Sequence, residues 1–281
     1  MDIRNRGIVD LSPNLRWFLL KEEEPCSGPW NMAVDEHLFR ALTDEPRTVV
    51  RFYRWERPTA SLGYGQDPGR VLDMEFCRAN GVDVVRRMTG GKLVLHHDEV
   101  TYSVCSSDVE TFGSTVGGSY RLISEGLMQG LEKLGLNPVL AGAPPSSYAR
   151  GTMPCFAHPG RDEVEIGGRK IIGSAQKRAG AKFLQHGSIP LLADEKLLKA
   201  VSRKGEGTDE IRMISLSEAV GRPVSFESAV EYLASGLAEF FGIVFEPLRM
   251  TDEDLAAIAR LEKLKYATDA WTMEGQALLA D

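Results

Sequence analysis

A chain of 281 residues with a net charge of −7 is long enough for one large domain or two modest ones, and its acidity argues against a general nucleic-acid binder. Its 43% hydrophobic and 26% charged residues are ordinary for a soluble globular protein, and its first 28 residues hold no apolar run long enough for a signal peptide or membrane helix. The expectation is a cytoplasmic protein with no membrane partner and no nucleic acid.

Taken in chain order, residues 28–42 (GPWNMAVDEHLFRAL) carry an amphipathic helical period. Residues 47–66 (RTVVRFYRWERPTASLGYGQ) read as two β-segments with Pro58 between them. A helix over 72–81 closes at Asn80-Gly81, and 82–107 reads as strand, glycine turn, strand, strand. Residues 119–136 form a strong helix candidate, with Leu122, Ile123, Leu127, Leu131 and Leu134 on one face. A Gly-, Pro- and Ser-rich loop over 141–154 follows. Residues 162–191 then read as a hairpin meander turning at "GG" and "AG". Helices dominate afterwards, at 194–202, 226–242 and 251–265. The pattern is α+β, a mixed sheet flanked by helices. We expect a single catalytic domain over 1–281, with a core at 44–248 and a helical C-terminal segment at 249–281.

Four segments bear on chemistry. In RRMTGGKLVLHH (86–97), Gly90 and Gly91 permit backbone torsions closed to other residues, and Arg86 and Arg87 supply charge beside an anion or carbonyl. The spacing matches neither a Walker A loop nor a dinucleotide fingerprint. The cysteines at 26, 77, 105 and 155 contain no C-x-x-C pair, which excludes a zinc ribbon or thioredoxin-type site. Cys26, Cys77 and Cys105 read as packing. Cys155 sits at a loop–strand junction beside the most cationic stretch: six cations against three acids between Arg161 and Lys182. A nearby ammonium favours the thiolate, the form that attacks carbonyls. Lys170 is a candidate for that ammonium, but alternation puts Arg169 and Lys170 on opposite faces of a strand, and only one can point into a site. His96, His97, His158 and His186 show no metal-ligand spacing, so no metal is expected.

The ordered set GYGQ (63–66), RRMTGGKLVLHHDEVTYSV (86–104), CF (155–156), GRKIIGSAQ (168–176), QHGSIPL (185–191) and KYATDAW (265–271) resembles the lipoate-protein ligase and octanoyltransferase superfamily over nearly the full length. The similarity is greatest to its cysteine-dependent octanoyltransferases. The resemblance implies a catalytic domain like that of biotin-protein ligases and class II tRNA synthetases. It implies transfer of octanoate from octanoyl-acyl carrier protein to a lysine of a lipoyl domain, with the glycine cleavage H protein as first acceptor and no cofactor. It assigns Cys155 as the residue that carries the acyl group as a thioester and Lys170 as its activator. It places Arg86, Arg87, Thr89, Gly90, Gly91, Lys92, His96, Gly173, Ser174, Ala175, His186 and Gly187 around the substrate.

Two departures from the ligases favour transfer. Lys92 stands where ligases carry a third consecutive glycine, and only ten residues follow Trp271, where many ligases continue into an accessory domain. The alternatives are an ATP-dependent lipoate ligase, an amidotransferase between lipoyl domains and a non-catalytic acyl-binding protein. The base for the acceptor lysine stays open, with a transiently neutral Lys170 as one possibility.

Overall fold

A computed structural model describes residues 16–142, 162–203 and 211–276. In chain order these form β1 (Arg16–Lys21), α1 (Gly28–Arg40), β2 (Arg47–Tyr53), β3 (Thr59–Leu62), α2 (Pro68–Val71), α3 (Met74–Ala79), β4 (Asp83–Arg86), β5 (Val94–His96), β6 (Glu99–Ser106), α4 (Val109–Phe112) and α5 (Val116–Lys133). Then come β7 (Val139–Leu140), β8 (Val164–Ile166), β9 (Arg169–Ala179), β10 (Lys182–Pro190), α6 (Glu195–Val201), α7 (Leu216–Val220), α8 (Phe226–Phe241), β11 (Glu246–Pro247), α9 (Asp252–Leu261) and α10 (Asp269–Glu274), with a π-helical turn at Glu262–Tyr266 joining the last two.

Eight strands make the main sheet in the order β11-β1-β2-β6-β10-β9-β8-β7, and β4-β3-β5 make a second, smaller sheet. β1 runs parallel to β2 and β11, whereas β2, β6, β10, β9, β8 and β7 pair antiparallel in succession. The architecture is the expected mixed sheet flanked by helices. β1 and α1, which precede residue 44, belong to the central layers. A short strand such as RWFLLK carries too little alternation to stand out from sequence. The two β-segments expected around Pro58 both form, as β2 and β3, but in different sheets.

Period-2 alternation along β2 and β6 splits the interior in two. Val50, Phe52, Tyr102 and Val104 face the layer of α5 and α8, with Leu127, Leu131, Leu233 and Leu237. Val49, Tyr53 and Cys105 face α1, α9 and the C-terminal turn, with Met32, Val34, Leu38, Ile258 and Trp271. The small sheet has its own core against α2, α3 and α6.

Local sequence ends these helices where they end. Ser27 caps α1, accepting from Trp30 N at 3.2 Å, and Thr115 caps α5, so that helix begins before residue 119. Thr251 and Asp254 form a reciprocal capping box on α9. α5 and α8 touch through Gly130 and Gly236: a Cβ on Gly236 would lie 2.1 Å from Gly130 N. Bare backbone at the crossing brings the two helices together.

Candidate active site

β9, β10 and the loop between β4 and β5 meet on the α1 side of the main sheet and enclose a cavity. It holds about 370 Å³ of space, part of it open to solvent. Arg87, Gly91, Lys92 and Val94 line it from the glycine loop, with His96 beside them. Gly173, Ser174 and Ala175 line it from β9, and His186, Gly187 and Ser188 from β10. Met32 of α1, Tyr53, Trp55 and Thr101 complete the wall.

Close backbone approach shapes this space. Gly91 has φ +94°, a conformation that glycine adopts without a Cβ penalty. A Cβ on Gly63 would lie 2.1 Å from Gly91 O, so the GYGQ turn packs directly on the glycine loop. A Cβ on Gly187 would meet Ser174 Oγ and the Tyr102 ring at 2.6 Å.

Two hydrogen-bond relays underlie the cavity. In the first, buried Asp35 of α1 accepts from Arg51 Nη1 (2.9 Å), Ser103 Oγ (2.9 Å) and Tyr53 OH (3.1 Å), and lies 2.9 Å from His186 Nδ1. Burial opposes ionisation of Asp35, but its His186 and Arg51 partners outweigh burial and hold its pKa below the usual carboxylate value. Burial pushes His186 down from its ordinary value, so the ring is neutral at pH 7. A neutral ring facing a carboxylate donates from Nδ1, which leaves Nε2 to accept from Thr89 Oγ1 at 2.7 Å.

In the second relay, Glu99 Oε1 lies 2.7 Å from His96 Nδ1, and His96 Nε2 lies 2.6 Å from Ser61 Oγ. Arg87 Nη1 donates to Ser61 Oγ (2.7 Å) and to Ser61 O (2.6 Å). Its Nη2 holds Gly90 O and Lys92 O, each at 3.0 Å. Trp55 stacks on His96 with ring centroids 4.0 Å apart and donates to Thr101 Oγ1 at 2.7 Å. The glycine loop is therefore tied at Thr89 by one relay and at Gly90 and Lys92 by the other.

The substrate-contact set drawn from the resemblance separates into three groups. Arg87, Gly91, Lys92, His96, Gly173, Ser174, Ala175, His186 and Gly187 line the cavity. Thr89 and Gly90 support the loop from behind. Arg86 is turned elsewhere: its guanidinium donates to Trp271 O, Thr272 O and Met273 O at the end of α10 and to Gly63 O, Tyr64 O and Gln66 O of the GYGQ turn. It is a clamp between the C-terminal segment and the loop. Of the adjacent arginines, strand alternation sends only Arg87 toward the cavity.

Lys170 does not line the cavity; it lies three residues before Gly173 on β9. It is fully buried, and its Nζ stands 2.6 Å from Glu163 Oε2. Arg169 faces outward to Glu218 at 2.6 Å, so the alternation that sequence left open resolves to Lys170 as the inward residue. Cys155 and His158 lie outside the described residues. The other thiols are poor nucleophiles: burial raises Cys26 and Cys105 and pushes Cys77 up to about 11. The described residues contain no group of three or more His, Cys, Asp or Glu side chains placed to hold a metal.

Sequence reasoning missed Met32, Tyr53, Trp55, Asp35, Arg51, Glu99 and Ser61. The RFYRW alternation held a signal for Tyr53 and Trp55, two positions apart on one strand face. Asp35 carried none, because its partners Arg51, Ser103 and His186 are distant in the chain; Glu99 stands three residues after His96, a local spacing that sequence reasoning did not use.

The chain matches the family model of the lipoyl protein ligase A/B catalytic domain over residues 27–238. It is 37% identical over 262 residues to an octanoyltransferase LipM of Symbiobacterium thermophilum, covering 88% of this chain and 94% of that one. It is 40% identical over 259 residues to an octanoyltransferase LipM of Kyrpidia tusciae, covering 87% and 94%. A solved lipoate-protein ligase A bound with ATP superposes with a TM-score of 0.78 at 24% identity, over 92% of this chain and 98% of that one, a likeness of fold. No described helix is long and apolar enough to cross a membrane. A chain that aligns along nearly its whole length with LipM enzymes, and folds as the solved ligase does, belongs to the lipoyl protein ligase A/B family and, within it, to the octanoyltransferases.

Proposed function

We propose that the chain moves an octanoyl group from acyl carrier protein to a lysine of a lipoyl-domain protein, such as the glycine cleavage H protein, through a thioester on Cys155. The observation that carries this reading is the cavity, walled by Met32, Tyr53, Trp55 and Val94 and rimmed by the glycine loop and the GSA segment of β9. Sites that take small ligands are mostly apolar with a few placed polar groups. An eight-carbon tail gains about 0.8 kcal/mol per methylene removed from water, so such a wall supplies several kcal/mol of binding.

The chemistry proceeds in two transfers. The Cys155 thiolate attacks the donor thioester, and the carrier leaves as a thiol after taking a proton. The acceptor lysine then attacks the acyl-enzyme as a neutral amine, releasing the Cys155 thiolate and one proton. The first step exchanges one thioester for another and is nearly balanced. The second makes an amide and is downhill, so the sequence of steps runs without ATP. Lys170 supplies positive charge to the thiolate, and Arg87, by holding Gly90 O and Lys92 O, keeps the loop beside the reacting carbonyl in one shape.

Intact-mass measurement after mixing the protein with octanoyl-acyl carrier protein tests the reading. A hydroxylamine-labile octanoyl adduct is expected on the wild type and none on Cys155→Ala. An adduct of equal yield on the variant overturns the thioester route. The matched family also contains ATP-dependent ligases; lipoate-dependent ATP–pyrophosphate exchange in the absence of carrier protein would establish that chemistry instead.

A further inference from the structure

We propose that Glu163 is a positioning residue that holds Lys170 as a permanent ammonium, so that Lys170 acts only as a fixed positive charge and never as the base for the acceptor lysine. This rests on the reading of Lys170 as the activator of Cys155. It settles a choice that sequence left open.

The argument starts from burial. Lys170 is 0% exposed, and its Nζ lies 2.6 Å from Glu163 Oε2, on a side chain itself only 9% exposed. An ammonium taken out of water without a partner sheds its proton, and buried lysines can drop several units for this reason. A neutral amine has no field with which to favour a thiolate. A carboxylate in contact reverses the balance, because removing the proton would then leave an unpaired buried anion. Glu163 thus keeps the charge on Lys170 in a site dry enough to make that charge effective.

Among the described residues, the other groups around Lys170 do not replace Glu163. Glu165 is its paired position on β8, and Arg169 beside it points outward to Glu218. On the far side, Lys170 exchanges backbone hydrogen bonds with Arg212 O (2.8 Å) and Ile214 N (2.9 Å). Tyr102 of β6 faces the same region: burial pushes its phenol up to about 12, with the Glu163 charge adding to the rise, so it stays protonated and bonded to Ser174 Oγ at 2.7 Å. Of these neighbours, Glu163 is the anion in contact with the ammonium. A lysine held charged in this way cannot accept the acceptor's proton, which must leave by another route.

The test is the pH dependence of Cys155 alkylation by iodoacetamide, located by peptide mass mapping, in wild type, Glu163→Gln, Glu163→Asp and Lys170→Met. Glu163→Gln is expected to raise the pH midpoint of alkylation by at least one unit and to lower octanoyl transfer at pH 7.5 at least tenfold. Glu163→Asp, which keeps the charge, should restore most of both. Circular dichroism and the melting temperature identify a variant that has merely failed to fold, and Glu163→Asp then carries the comparison: a midpoint within about 0.3 units of wild type is expected, and a rise equal to that of Lys170→Met overturns the assignment. An unchanged or lowered midpoint in folded Glu163→Gln, with Lys170→Met impaired, overturns the role of Glu163 and leaves that of Lys170 standing. A wild-type midpoint and wild-type transfer in Lys170→Met would instead remove the reading on which the proposal rests.

Discussion

Asp35 shows how one buried group can organise a site that it does not line. Its carboxylate gathers Arg51, Tyr53, Ser103 and His186, which come from β2, β6 and β10. The resulting tautomer of His186 lets Thr89 donate to it and so anchors the glycine loop. The same burial makes stability depend on pH. His186 has a folded pKa below its ordinary value of 6.5, so unfolding takes up a proton at any pH between the two values. Stability is full above about pH 6.5 and falls as the pH drops below it, with a limiting slope of about 1.4 kcal/mol per pH unit for one proton. Urea unfolding at pH 5 to 8 should show a flatter acid limb in His186→Gln than in wild type; parallel limbs would mean that this ring does not drive the loss.

Among elements, the pairing of α5 with α8 leaves no room for a side chain at its crossing. A methyl at Gly236 would sit 2.1 Å from Gly130 N and 2.5 Å from Gly130 Cα, and both obstacles are backbone. No rotamer relieves such a contact, so the helices must separate and lose packing among Leu127, Leu131, Leu233 and Leu237. Gly236→Ala is expected to cost about 1–3 kcal/mol, the usual range for overpacking, with a lower melting temperature. A variant as stable as wild type would show that the helices part without loss. The C-terminal segment is held by different means. Lys265 Nζ donates to both Glu36 oxygens, Tyr266 OH bonds to Glu36, and Trp271 Nε1 donates to Arg86 O at 2.9 Å. KYATDAW thereby braces α1 and, through Arg86, the loop that shapes the cavity.

For the molecule as a whole, charge is unevenly spread over an acidic surface. The cationic run between Arg161 and Lys182 is divided by the fold: Lys170 is buried against Glu163, and Arg169 is paired with Glu218. The end of the β9–β10 hairpin keeps Lys177 exposed, while Arg178 and Lys182 donate to the neutral acceptors Ser119 Oγ and Leu42 O. If this end receives the acidic carrier of the proposed reaction, Lys177→Glu should raise the KM for octanoyl carrier protein several-fold at low salt, and the difference should shrink by 0.3 M salt, where screening is strong. Equal KM values at low salt would place docking elsewhere.

Sequence alone determined what is local or ordered along the chain. Helical and strand periods located α1, α5, α8 and most of the strands, because burial of one face imposes its period on the residues. The ordered motifs located the glycine loop and the GSA segment, because close backbone approach admits few side chains. Tertiary structure decided which of two neighbouring charged residues faces inward, selecting Arg87 over Arg86 for the cavity and Lys170 over Arg169 for the interior. It also supplied the acidic partners, Asp35 for His186, Glu99 for His96 and Glu163 for Lys170. Of these pairs, the first is 151 residues apart. A pair so far apart leaves no trace in sequence, since a buried charge needs its partner close in space and at no set spacing along the chain.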